Sequence, residues 1–341
     1  MRSIALAAAF AVLLAGCSSS SAITPNAPQT SSAAGLGPKS LSVTPFNAPD
    51  NVFPNNTSTE PTGIRDRYIS ATVTFAQGVT AGGLYNRKTQ TWIQLNYPGA
   101  AATAAYGPKR IKGGYLVVGS YKNAAQKGDD GFAYNSVTNK YTRIVAPANL
   151  CAPQACNFTI AHSVYPSGPD HYLVVGNYDA GAKAPTIAGH AFVYDNVTKT
   201  FATIDVSNAV STTAYGIWID GKTLAVAGGY ANKKGRHAYV RDLTGNHFLT
   251  YDYPKAALTH FEGITGAGGR GNYNLVGDYT KPRDKAVYGF YIQVRNWTFW
   301  PPIVIGKVTA NSVDDRDVIG VYNPGGGTSG FITTLPVQDP P

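Results

Sequence analysis

One strand-like segment recurs along the 341 residues and leaves few folds open to the chain. It reads Tyr115-Leu-Val-Val-Gly-Ser-Tyr121, Tyr172-Leu-Val-Val-Gly-Asn-Tyr178, Leu224-Ala-Val-Ala-Gly-Gly-Tyr230, Tyr273-Asn-Leu-Val-Gly-Asp-Tyr279 and Asp317-Val-Ile-Gly-Val-Tyr322. A looser first copy is Tyr68-Ile-Ser-Ala-Thr-Val-Thr-Phe75. The closing aromatics at 75, 121, 178, 230, 279 and 322 stand 43 to 57 residues apart, a period that marks a repeat architecture. Each copy follows a Thr-x-Ala-x-Gly-like segment: Thr59-Glu-Pro-Thr-Gly63, Thr103-Ala-Ala-Tyr-Gly107, Thr159-Ile-Ala-His-Ser163, Thr212-Thr-Ala-Tyr-Gly216, Thr259-His-Phe-Glu-Gly263 and Val308-Thr-Ala-Asn-Ser312. A Gly- and aromatic-containing strand comes next, such as Gly131-Phe-Ala-Tyr134 or Gly189-His-Ala-Phe-Val-Tyr194. An outer strand such as Tyr141-Thr-Arg-Ile-Val145 or Phe201-Ala-Thr-Ile-Asp205 closes the unit. Asn135-Ser-Val-Thr-Asn-Lys140, Asp195-Asn-Val-Thr-Lys199 and Asp242-Leu-Thr-Gly-Asn246 carry the Asn, Asp and Gly of hairpin turns.

Four short strands per repeat is the arithmetic of a β-propeller blade. Composition agrees: 37 Gly and 22 Tyr, with 43% hydrophobic but only 14% charged residues, exclude a disordered chain and argue against a helical one. The expected fold is all-β, a six-bladed β-propeller over residues 40–336. The last unit runs out at Phe331-Ile-Thr-Thr-Leu335-Pro336, so its outer strand must come from elsewhere. Leu41-Ser-Val-Thr-Pro-Phe-Asn-Ala48 has the pattern of the other outer strands and is expected to close the ring, leaving 337–341 as a tail.

Residues 1–16 read as an export signal: Arg2, then an apolar run from Ile4 to Leu14 that is too short to span a bilayer. Leu14-Ala15-Gly16-Cys17 resembles the bacterial lipobox. That resemblance implies cleavage before Cys17, lipidation of its thiol and amine (palmitate among the acyl groups), and, with Ser18 next, an outer-membrane lipid anchor facing either the periplasm or the cell surface. Residues 17–39, rich in Ser, Ala, Pro and Gly, read as a flexible tether. In an oxidising compartment Cys151 and Cys156 are expected to form a small disulfide loop; their spacing is not the thioredoxin pattern.

With Gly189-His190-Ala191-Phe192 and Arg236-His237-Ala238-Tyr239 among these strands, residues 59–335 resemble bacterial extracellular proteins of the His-Ala-Phe repeat type. Only the third unit carries the tripeptide itself. The resemblance implies an exported propeller and supplies no reaction. The repeat histidines are read as packing residues.

Two sets of residues could carry function. The position before the Gly or Ser of each first strand holds Thr62, Tyr106, His162, Tyr215, Glu262 and Asn311, and His162 with Glu262 would form an acid–base pair if both reach the channel. The loops joining second to third strands hold Lys122, Lys127, Lys183, Lys233, Lys234, Arg236, Lys281, Arg283 and Lys285 against Asp129, Asp130, Asp179 and Asp284. They concentrate much of the net charge of +9 on one face. That face suits an anionic glycan, lipopolysaccharide or an acidic protein, while the same lysines also fit a merely solvated rim. These loops lack interleaved aromatics, so nucleic acid is not expected. No metal-ligand pattern recurs across the units, and no cofactor motif is found, so no metal or cofactor is expected. The reading is a binding module on the outer envelope. The alternatives are a glycan hydrolase or lyase working at the channel, and an assembly subunit of an envelope complex.

Overall fold

The structure is a computed structural model that describes residues 41–124, 128–151, 156–179, 189–245, 247–284, 286–323 and 328–338. The signal and tether segments, Cys17, Lys127, Lys183 and Lys285 lie outside the described residues, as does the end of the tail.

The chain is an all-β propeller. Its inner strands are Asn56–Arg65, Ala102–Ile111, Phe158–Gly168, Ser211–Asp220, Leu258–Gly266 and Thr309–Asp314, and each pairs antiparallel with the Val-Gly-x-Tyr strand that follows it. Four units are separate four-stranded sheets. The fourth and fifth units differ from the expected six separate blades: their nine strands form one sheet. The physical cause is a single parallel pairing, Arg236 with Leu258, which joins the third strand of one unit to the inner strand of the next. In the last sheet Thr44 and Pro45 pair with Ile332 and Phe331, so the outer position there is taken by the N-terminal segment.

The repeat residues have identifiable work. Thr59, Thr103, Thr159, Thr212 and Thr259 are at most 2% exposed. Their hydroxyls accept the backbone N–H of Ala48, Tyr97, Ala146, Val206 and Tyr253 at 2.9–3.0 Å, fixing the chain where it enters each inner strand. Val308 occupies this position in the sixth unit and has no hydroxyl to offer. The aromatic of the third strand (Phe132, Phe192, Tyr239, Phe290, Phe331) is fully buried, each contributing roughly 1.5–3 kcal/mol. Asn135, Asp195 and Asp242 accept backbone N–H groups two residues on, which makes the expected hairpin turns.

Every inner strand carries a β-bulge at the same place: the register jumps between Pro61 and Gly63, Ala105 and Pro108, Ala161 and Ser163, Ala214 and Gly216, Phe261 and Gly263, and Ala310 and Ser312. The recurring glycine is the counterpart of that bulge. A Cβ on Gly119, Gly176, Gly228, Gly277 or Gly320 would lie 1.9–2.1 Å from the carbonyl oxygen of Ala104, Ile160, Thr213, His260 or Thr309. The repeat glycine therefore lets the inner strand press close and bulge, and a bulge re-aims a side chain.

Candidate functional site

The side chains re-aimed by the bulges are those at the six positions singled out in the sequence. Thr62, His162, Tyr215 and Glu262, together with Arg65, Pro108 and Ser312, line a small central cavity of about 20 Å³, room for roughly one water molecule. Contacts at this level run from one inner strand to the next. The Thr62 hydroxyl donates to the Ala105 carbonyl at 2.5 Å. The rings of Tyr106 and His162, His162 and Tyr215, and Tyr215 and His260 have centroids 5.2, 4.7 and 6.1 Å apart. Asn311 Nδ2 donates to the Pro61 carbonyl at 2.7 Å, which sets the sixth inner strand beside the first.

One end of this channel is closed. Arg65, on the first inner strand, donates to the carbonyls of Ile264 at 2.7 Å and Val313 at 3.3 Å. Its guanidinium lies 5.1 Å from the centroid of Trp218, and Lys109 Nζ sits 4.9 Å from Tyr165 and 5.4 Å from Trp218. Burial, and then the charge of Arg65, push the Lys109 amine below its ordinary pKa. Two cations held over aromatic faces form a plug.

The other mouth is open and polar. Inner strands begin where second strands end, since Ala102 pairs with Lys122, Phe158 with Asp179 and Leu258 with Thr280. The second-to-third-strand loops thus flank the start of the inner strands, and the bulged tier lies about midway along them, between those loops and the Arg65 end. Here His162 Nε2 shares a 2.7 Å hydrogen bond with Asn177 Oδ1, and burial lowers its pKa despite that bond and the charge of Glu262. Glu262 Oε1 contacts His260 Nε2 at 2.5 Å, and Asp278 Oδ2 lies 4.0 Å from the same nitrogen. Burial opposes a charged His260, but Glu262 and Asp278 outweigh it and raise its pKa. Burial also raises the Asp278 carboxyl. Across the mouth Glu60 keeps solvent contact, yet the protein packed around its carboxyl, and then Glu262, raise its pKa.

His162 and Glu262 therefore stand on one cavity wall, but each has a different immediate partner: Asn177 for His162 and His260 for Glu262. Sequence reasoning missed His260 and Asp278. Their signal was present: the x of Val-Gly-x-Tyr is Ser120, Asn177 or Gly229 in the neighbouring units and an acid only at Asp278, directly opposite His260 in the register.

Around the mouth Lys122, Lys233, Lys234, Lys281 and Arg283 are exposed. Lys281 Nζ lies 4.5 Å from the Tyr288 ring. Arg236 departs from the expected loop position; it is half-buried on a strand, held there by the pairing with Leu258. The neighbouring acids are engaged by the protein itself: Asp129 by Ser120, Asp130 by Arg143, Asp179 by Asn157, and Asp284 by the Ala286 N–H and Tyr288. His190 and His237 are struts: their Nδ1 atoms meet Asp205 at 2.5 Å and Asp252 at 2.8 Å, and their rings lie beside Tyr178 and Tyr230. Cys151 and Cys156 are disulfide-bonded, with Cα atoms 5.2 Å apart.

The fold and its polar mouth define a propeller. No family model matches the chain, and no curated protein matches it. Among solved structures, YjhT is 14% identical, over 87% of this chain and 96% of its own, with a TM-score of 0.51. A mutant of AofleA from Arthrobotrys oligospora is 10% identical, over 84% and 88%, with a TM-score of 0.50. The β-propeller domain of the Trilobed protease from Pyrococcus furiosus, described as having an open velcro topology, is 11% identical, over 83% and 99%, with a TM-score of 0.45. The first two likenesses show the fold alone.

Proposed function

We propose that the chain is a ligand-binding propeller of the bacterial envelope, taking an anionic glycan at its open mouth. The observation that carries this reading is the unequal use of charge there: the acids beside the loops are hydrogen-bonded within the protein, Asp130 to a cation, whereas among the described residues Lys122, Lys233, Lys234 and Arg283 are exposed and make no ion pair. Below that rim the central cavity has room for roughly one water, so the reading places the ligand on the exposed rim and not inside the channel. The test is a glycan panel pairing each uronate- or phosphate-bearing saccharide with its neutral counterpart. Selective retention of the charged members is expected; equal retention of both, or of neither, refutes the reading.

The architecture proposed with this function is a ring of six blades, the nine-stranded sheet counting as two, closed by the segment 41–48. Six bulges at one level support the count. Ala48 N–H meets Thr59 as Tyr97 N–H meets Thr103, which supports the closure. The proposed anchor is lipid on Cys17. A mass spectrum of the mature chain beginning at an acylated Cys17 is its test, and an unacylated mature N terminus contradicts it.

A second reading, a glycan hydrolase or lyase at the channel, draws on the 2.5 Å contact of Glu262, on the cavity wall, with His260. Turnover of a bound glycan, lost in Glu262→Gln with binding retained, would favour it; full rate in that variant refutes it.

A further inference from the structure

We propose that His260, Glu262 and Asp278 bind one divalent transition-metal cation, Mn2+ or Zn2+, at the open mouth of the channel. The inference stands apart from the basic loops and does not depend on the glycan reading.

The geometry begins in the strand register. His260 is the direct cross-strand partner of Asp278, and Glu262 lies two residues further along the same inner strand at the bulge. The corresponding cross-strand pairs are Glu60 with Thr72, Ala104 with Ser120, Ile160 with Asn177, Thr213 with Gly229 and Thr309 with Val321. Only the fifth unit opposes an imidazole to a carboxylate. One imidazole nitrogen and one oxygen from each of the two carboxylates lie within 4.8 Å of one another. A cation about 2.1 Å from each donor holds donors roughly 3–4 Å apart. Insertion therefore requires Glu262 to move off His260 Nε2, and the cation takes the place of the proton between them.

A second observation points to a missing positive charge. The Asp278 side chain is 1% exposed, and its Oδ1 accepts the Ala310 N–H at 2.9 Å. Its Oδ2 faces His260 across 4.0 Å, too far for a hydrogen bond. A buried carboxylate so lightly compensated is costly, and Glu262 with Glu60 opposite adds further negative charge. Glu262 and His260 retain 17% and 26% side-chain exposure, so two of the three donors are not sealed from solvent. One nitrogen with carboxylate oxygens favours Mn2+ or Zn2+ over Mg2+ or Ca2+.

The test uses the whole chain stripped with a chelator and titrated with Mn2+, followed by calorimetry and electron paramagnetic resonance. One Mn2+ per chain is expected, displaced by Zn2+ but not by equal Ca2+ or Mg2+, with spin-echo modulation from an imidazole nitrogen. Glu262→Gln and Asp278→Asn should each weaken uptake by more than about 100-fold, beyond what loss of an outer-sphere partner costs. His190→Gln, which removes the imidazole of another His–Asp pair, should bind as wild type. Absence of stoichiometric uptake of either metal at about 1 mM overturns the site, as does bound Mn2+ without nitrogen modulation. That spectrum is read on the wild-type chain, so the outcome holds even where a variant fails to fold.

Discussion

Replacing Thr59 by Val tests whether the N-terminal segment is an integral part of the ring. Thr59 is 0% exposed, and its hydroxyl accepts the Ala48 N–H at 2.9 Å, while Ala48 is itself buried. Valine keeps the branched shape and removes the acceptor, stranding a buried N–H at a cost of about 1–3 kcal/mol. Thr159→Val is the internal reference, because it strands the Ala146 N–H, 3.0 Å from the Thr159 hydroxyl, in a unit built from consecutive chain. Calorimetry should place both variants about 2–6 °C below wild type. Hydrogen exchange should show faster exchange at Ala48 in the first and at Ala146 in the second. A full loss for Thr159→Val beside an unchanged Thr59→Val would refute the reasoning, because it would mean that the segment around Ala48 is not load-carrying in the folded state.

Two further perturbations follow from the fold. Gly176→Ala places a methyl 1.9 Å from the Ile160 carbonyl oxygen and 2.9 Å from the Phe192 ring, and should cost about 1–3 kcal/mol or more in a denaturant titration; Gly168→Ala, whose nearest contact is 3.6 Å, should stay within about 0.5 kcal/mol, and equal effects would contradict the account of the bulge. Burial would raise the Asp242 carboxyl, but the Thr244 hydroxyl and N–H and the Arg270 guanidinium together hold it below its ordinary pKa. A carboxylate with a depressed folded-state pKa contributes stability that is complete above the unfolded-state pKa, near 4, and is lost as pH falls through the folded value. The stability gap between wild type and Asp242→Asn should therefore be widest near pH 6 and close towards pH 2; a gap independent of pH contradicts this role.

The strands were legible because each repeat residue answers a local demand. Glycine is needed where the inner strand presses close, threonine where the incoming chain needs an acceptor, and Asn or Asp where a hairpin turns. The channel tier was legible for the same reason, since it lies one position before a recurring Gly or Ser. The fusion of the fourth and fifth units was not, because one parallel pairing between Arg236 and Leu258 leaves no mark in the pattern. The pairing of His260 with Asp278 was not legible because these residues depart from the repeat, and a ligand set present in one unit leaves no recurring pattern. Arg236 stands at the boundary of the repeat, counted both with the His-Ala-Tyr strand and with the loop charges; the structure places it on the strand that begins at Gly235.

Affinity for a uronate oligosaccharide, measured against salt concentration, tests the central claim of a basic binding mouth most directly. The comparison is between wild type and a chain carrying Lys122→Gln, Lys233→Gln, Lys234→Gln and Arg283→Gln. Exposed charges contribute a few tenths of a kcal/mol each, so the four together should supply roughly 1.4 kcal/mol, or about tenfold in affinity at low salt. The account predicts that loss, with a shallower salt dependence in the variant and convergence of the two chains at high salt. Equal affinity and equal salt dependence in the two chains would contradict it.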